Sequence, residues 1–212
     1  MKLFKLLSLV FFIFALAGRA DDQILVDSCF EDDALGSPDG WQSKVGFGTS
    51  AVELAKIAPH EGKCHLVFRV TTDNAQKDDG GPGTGPGRVA VEQVTQTGTI
   101  TPGTNYILSF FSTTPTGFFP TVAPRYHIEW LDASNQPIGS SVWTSFAGSA
   151  GKDGFYEEFS TDLPAPAEAD HVRVSFDLEG GDLNNPDSVE TVLYLDNVSL
   201  RPAKDGAKPK AP

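Results

Sequence analysis

The run "VLYLDNVSL" at residues 192–200 places a carboxylate and an amide, Asp196 and Asn197, inside what otherwise reads as a buried strand. A buried carboxylate is costly unless it is hydrogen-bonded, paired or bound to a metal. Asp196 therefore calls either for a cation or for a turn whose backbone amides it accepts. Other segments with chemical potential carry less. In "HEGKCH" (60–65) the zincin pattern would need a second His four residues after the first, on a helix. That position is Cys64, and Gly62 interrupts a helix, so the segment reads as a turn entering a strand. "GGPGTGPG" (80–87) echoes a phosphate loop, but Pro82 and Pro86 remove amides and no Lys-Ser/Thr follows. There is no Gly-x-Ser-x-Gly, and the four histidines form no triad pattern. A glycosidase would need two carboxylates across a cleft; with 28 acidic residues a pair can be nominated anywhere, so none is indicated. "NVS" at 197–199 is a glycosylation sequon lying within a strand.

The elements that must position Asp196 follow a short leader. Lys2 and Lys5, an apolar stretch from Leu6 to Leu16 and small residues ending at Ala20 have the layout of a secretory signal peptide, residues 1–20. The apolar stretch is shorter than the ~20 residues a bilayer span needs, and no lipid-bearing Cys follows it. The expected location is secreted, extracellular or periplasmic. Removing residues 1–20 lowers Lys plus Arg from 16 to 13 against 28 acids, so the net charge moves from −12 to −15. Such an acidic surface argues against nucleic acid or anionic lipid and suits neutral ligands and divalent cations. About 190 residues remain, enough for one domain with a full core. The only cysteines, Cys29 and Cys64, are expected to pair in an oxidising compartment; two buried thiols are the alternative.

Strand-like runs dominate: "QILVDSCF", "HLVFRVTT", "RVAVEQVTQ", "NYILSFFST", "RYHIEWLDA", "FYEEFSTDL", "HVRVSFDLE" and "TVLYLDNVSL", separated by Gly, Pro, Asn and Asp clusters. Only "SAVELAKIA" has helical spacing, and Pro59 follows it. The pattern predicts an all-β chain, an antiparallel β-sandwich or jelly roll in one domain over 21–202. Residues 203–212 read as a solvated Pro/Lys/Ala tail.

"LVDSCFEDD", "DGW" (39–41), "GKCHLVF", "VEQVTQTGTITPGTNYILSFF", "YHIEWLDASNQPIG" and "LYLDNVSL" occur in an order that resembles the carbohydrate-binding modules of families four, nine and twenty-two. The resemblance spans about 24–202 and implies a galactose-binding-like jelly roll. It also implies a structural calcium (Ca2+) with carboxylate oxygens from Glu31 and Asp196 and a carbonyl from Lys63 or a neighbour. Calcium takes six to eight oxygens, so water or Asp33 would complete the shell. The same geometry brings Cys29 near Cys64.

Alternation along strands sketches a binding face. Tyr126, Ile128 and Trp130 are assigned inward, His127 and Glu129 outward; Tyr106, Leu108 and Phe110 inward, Ile107, Ser109 and Phe111 outward; Arg173, Ser175 and Asp177 outward. Gln93 falls where the family often has a sugar-contacting Gln. A groove of Gln93, Phe111, His127, Glu129 and Arg173 is the expected glycan site. The 73–87 loop lacks the aromatic platform of several xylan-binding relatives, and Trp143, Phe118, Phe119 and Tyr156 could substitute for it. The expected function is a non-catalytic protein recognising a polysaccharide or glycan. The alternative is a structural or adhesive envelope protein using the jelly roll for contacts with other envelope proteins.

Overall fold

In the computed structural model, the described residues are 23–31, 39–45, 50–56, 59–70, 87–114, 124–146, 149–150, 157–180 and 191–204. The leader, Asp33, Phe118, Phe119, Tyr156, most of the 73–87 loop and the tail beyond 204 lie outside them.

The described residues form eleven strands: β1 (Gln42–Val45), β2 (Ser50–Ala55), β3 (His65–Val70), β4 (Gly87–Val94), β5 (Asn105–Thr114), β6 (Arg125–Leu131), β7 (Thr144–Ser145), β8 (Ser149–Ala150), β9 (Glu157–Pro164), β10 (His171–Gly180) and β11 (Thr191–Pro202). They form two sheets. One has the order β1-β4-β10-β6-β7; the other has β2-β3-β11-β5-β8, with β9 also paired to β5. All pairs are antiparallel except β5 with β8. No helix occurs among the described residues, and "SAVELAKIA" contributes a strand over Ser50–Ala55.

Period-two patterns explain the layering. In β10, Val172, Val174, Phe176 and Leu178 are buried, while β5 buries Tyr106, Leu108 and Phe110. The inner faces of the two sheets meet in one core with Leu66, Phe68, Val89, Val91, Leu193, Leu195, Val198 and Leu200. Phe110 is its centre, in edge contact with Phe146 and Phe176 and stacked on Phe159 at 5.1 Å. Tyr126, Ile128 and Trp130 pack against this core as assigned.

The segment 23–31, expected as a strand, is instead a chain of bends. Asp27 (φ 43°) and Phe30 (φ 55°) adopt left-handed backbone, which breaks a ladder. It still docks on β11: Ile24 N donates to Leu200 O at 3.0 Å, and Val198 N to Ser28 O at 2.9 Å.

Candidate functional site

The outer face of the five-stranded sheet gathers most of the expected polar groups. Register places Arg173 opposite Glu129, Ser175 opposite His127 and Asp177 opposite Arg125, so these side chains share one face. The neighbouring β4 adds Glu92 and Ala90 beside Ser175 and Asp177, and Lys44 from β1 reaches Glu92 at 2.5 Å. Arg173 pairs with Glu129.

At the centre, Asp177 is 1% exposed and takes two guanidinium groups. Arg88 donates from Nε at 2.9 Å, while Arg125 donates to Oδ1 at 2.9 Å and to Oδ2 at 2.6 Å. Arg125 also reaches Glu179 at 2.6 Å. These carboxylates hold the Arg125 guanidinium firmly charged, its hydrogen bonding to Asp177 being the main cause. Pairing is what makes this buried carboxylate tolerable.

Trp143, from the segment before β7, closes over this network. Its ring stacks on His127 with centroids 4.8 Å apart and 18° between planes. The guanidinium carbons of Arg125 and Arg88 lie 5.5 and 5.8 Å from its centroid, within cation–π reach. Burial lowers the His127 pKa; Glu129 pulls it up and Arg173 pushes it down. The face thus joins an aromatic pair to four cations (Lys44, Arg88, Arg125, Arg173) and four carboxylates (Glu92, Glu129, Asp177, Glu179). It is locally balanced in charge on a strongly acidic chain.

Two expected members of this groove are elsewhere. Gln93 has the inward phase of Val89 and Val91, and only 2% of it is exposed. Its side chain accepts from Val26 N at 2.8 Å and donates to Val26 O at 2.9 Å, while Trp41 Nε1 also donates to Val26 O at 3.2 Å. It is an internal clamp on the N-terminal segment. Phe111 does point outward, but β5 belongs to the other sheet, so Phe111 lies on the opposite side of the sandwich from His127. There it stacks on His60 at 3.7 Å with 15° between planes.

Asp196 sits at a β-bulge. Asp196 pairs with Phe111 and Ser199 with Ser109, so two residues, Asn197 and Val198, face Phe110 alone. Asn197 absorbs the insertion in left-handed backbone (φ 49°), a conformation Asn tolerates. The bulge aims Asp196, fully buried, at the 60–64 turn. Asp196 Oδ2 accepts from the amides of His60 (2.8 Å) and Glu61 (3.3 Å), and Oδ1 from Asn197 (2.7 Å). Glu31 grips the same turn through the amides of Lys63 (2.7 Å) and Cys64 (3.1 Å). Gly62 (φ 68°) suits the left-handed backbone here, and a Cβ would stand 2.1 Å from Glu31 Oε1 and push that carboxylate off its amides. Burial still raises the Asp196 pKa to about 6 against the pull of these amides.

In this arrangement amides of one turn hold both carboxylates. Lys63 offers Glu31 its amide, and no group of three or more His, Cys, Asp or Glu among the described residues could hold a metal ion. No disulfide joins Cys29 to Cys64 either: Cys29 is exposed, with Sγ 3.7 Å from Ser28 Oγ, and Cys64 is buried. Both do flank Glu31, since Cys64 donates to it and its charge raises the Cys29 pKa, behind burial and Asp196.

Superposition on solved structures settles the architecture. A family 61 carbohydrate-binding module in complex with β-1,4-galactotriose aligns over 85% of this chain and 99% of its own, with a TM-score of 0.52 and 12% identity. The chain has the fold of a carbohydrate-binding module. The module–catalytic-domain pair of xylanase 10B from Clostridium thermocellum, complexed with xylohexaose, matches over 89% of this chain (TM-score 0.51, 14% identity). The enzymatically active domain of tailspike protein 4 of bacteriophage CBA120 matches over 85% (TM-score 0.61, 13% identity). The chain spans 30% and 21% of those two chains, respectively. No family model matches the sequence, and no curated protein is similar to it. Among the described residues, no helix is long and apolar enough to cross a membrane.

On this module-like sandwich, His127, Glu129 and Arg173 share one face, and Arg88 and Arg125, which the sequence did not single out, join them. Each is an isolated cation in sequence; only the pairing of β4, β10 and β6 sets both against Asp177. The Trp143–His127 stack was equally out of reach, because sixteen residues and a loop separate them.

Proposed function

We infer that the protein is a secreted, non-catalytic glycan-binding module whose ligand lies on the outer face of the five-stranded sheet. The observation that carries this is the Trp143–His127 stack set among balanced Arg–carboxylate pairs. Sugars present apolar ring faces and polar edges: the Trp143 ring takes the first, and Glu129, Arg173, Arg88 and Glu92 take the second. Charge balance favours a neutral glycan over an anionic one. The fold supports the same reading, since modules of this architecture are solved with oligosaccharides bound. The leader over 1–20 supports export, and no catalytic constellation is part of the reading. A structural calcium at Glu31 and Asp196 has one observation for it, the buried charge of Asp196, and one against it, the amides already on those oxygens; chelation decides between them.

A glycan array with the mature chain tests the function. Retention of a neutral β-linked oligosaccharide, weakened in Trp143→Ala and Glu129→Ala while the fold persists, is the expected result. Binding unchanged in both variants refutes the face. No retained glycan at all leaves the envelope-adhesive reading in its place.

A further inference from the structure

We propose that a cavity on the outer face of the six-stranded sheet is a second saccharide site, so that the protein can bridge two glycan chains; this rests on the glycan-binding function inferred above. The cavity has a volume of about 320 Å³, and Ser109, Phe111, Glu158, Asn197 and Arg201 are among its lining residues. That is the small end of ligand-binding cavities, roughly 300–1,000 Å³.

Its walls are preformed. The bulge in β11 turns Asn197 outward beside Phe111, whose ring is backed by His60 at 3.7 Å. Asn197 Nδ2 lies 3.5 Å from His60 Nδ1. Arg201, although exposed, is fixed by its Nε bond to Ser199 Oγ at 2.5 Å. A ring entering here meets an aromatic wall, the hydroxyls of Ser109 and Ser199, the Asn197 amide and the Arg201 guanidinium. This is the mixture of ring face and polar edge that a sugar requires. Glu61 and Glu158 outnumber Arg201 in the lining, with the Asp196 carboxylate buried behind it. That balance rejects carboxylated and sulfated sugars and leaves a neutral hexose unit as the ligand. Stacked sheets lie ~10 Å apart, so a saccharide here is separated from the Trp143 face by the whole sandwich. One oligosaccharide cannot contact both sites at once, and two occupied faces mean two chains.

The test is a two-dimensional amide NMR titration of the mature chain with glucose, galactose and galacturonate. Glucose or galactose should shift the amides of Ser109, Asn197 and Ser199, in the wild type and in Trp143→Ala alike, and galacturonate should not. Arg201→Ala, a change at an exposed position, should weaken the effect at least tenfold with no change in Tm; Phe111→Ala should weaken it likewise. The wild type should raise the turbidity of a soluble neutral β-glucan, whereas Trp143→Ala and Arg201→Ala should each bind it without turbidity. Shifts confined to the Trp143 face overturn the second site while sparing the proposed function, as does cavity binding unaltered in both Arg201→Ala and Phe111→Ala. Cavity shifts with no shifts on the Trp143 face refute the first face and keep the second. No shifts with either neutral hexose overturn the cavity outright.

Discussion

His65 opens β3 from the outward side of its sheet, yet it is fully buried against Tyr194, with ring centroids 4.6 Å apart. Burial lowers its pKa to about 4 from an ordinary 6.5. In the unfolded chain the imidazole is solvated and takes a proton near pH 6.5; the folded protein resists until about pH 4. Its contribution to stability is therefore complete above pH 6.5 and lost as pH falls from there towards 4. Each unit of displacement corresponds to about 1.4 kcal/mol, so the loss is about 3 kcal/mol over that window. Asp196 acts oppositely. Its raised pKa, about 6 against 3.8, gives a contribution present below pH 3.8 and lost as pH rises through 6. Between pH 4 and 6 the two offset each other. His65→Phe keeps a ring against Tyr194 and removes the titration. Urea unfolding of both proteins at several pH values from about 7 to about 4 measures the difference, in which Asp196 and all other acids cancel. The variant should gain about 3 kcal/mol on the wild type as the pH falls. A difference that stays constant with pH would refute the buried, neutral His65.

Four further outcomes are expected. Gln93→Ala should lower stability by about 2–4 kcal/mol in chemical denaturation, because it leaves Val26 N–H and C=O without their side-chain partner, and glycan retention should survive at temperatures where the fold does. Trp130→Ala should cost about 2–4 kcal/mol, near the low end for core aromatics since the ring is half-buried, whereas Glu129→Ala should cost under about 1 kcal/mol and reduce ligand retention; the reverse pattern means the strand is read one residue out of register. Chelator should leave the Tm unchanged if amides alone hold Glu31 and Asp196, and should lower it, with no such drop in Asp196→Ala, if an ion sits there. Thiol titration in denaturant without reductant should count two reactive groups; a count of zero would establish the Cys29–Cys64 bridge instead.

The amino-acid sequence by itself determined the class of fold and the inside and outside of its central strands. A period of two cannot be satisfied by a helix, and burying Val172, Val174, Phe176 and Leu178 forces Arg173, Ser175 and Asp177 to the other side. It also marked Asp196 as a position needing an answer. What the chain alone could not decide was which strands share a sheet. Phe111 and His127 both alternate outward, yet one faces each side of the sandwich, because pairing of β5 with β11 and of β6 with β10 is fixed by contacts distant in sequence. Gln93 illustrates the same limit: a polar residue on an inward phase looks misplaced until Val26, 67 residues away, supplies both its hydrogen bonds. Asp196 is answered likewise only in three dimensions. Its partners are amides of a turn some 135 residues earlier, brought within reach by a one-residue bulge that strand periodicity does not foretell.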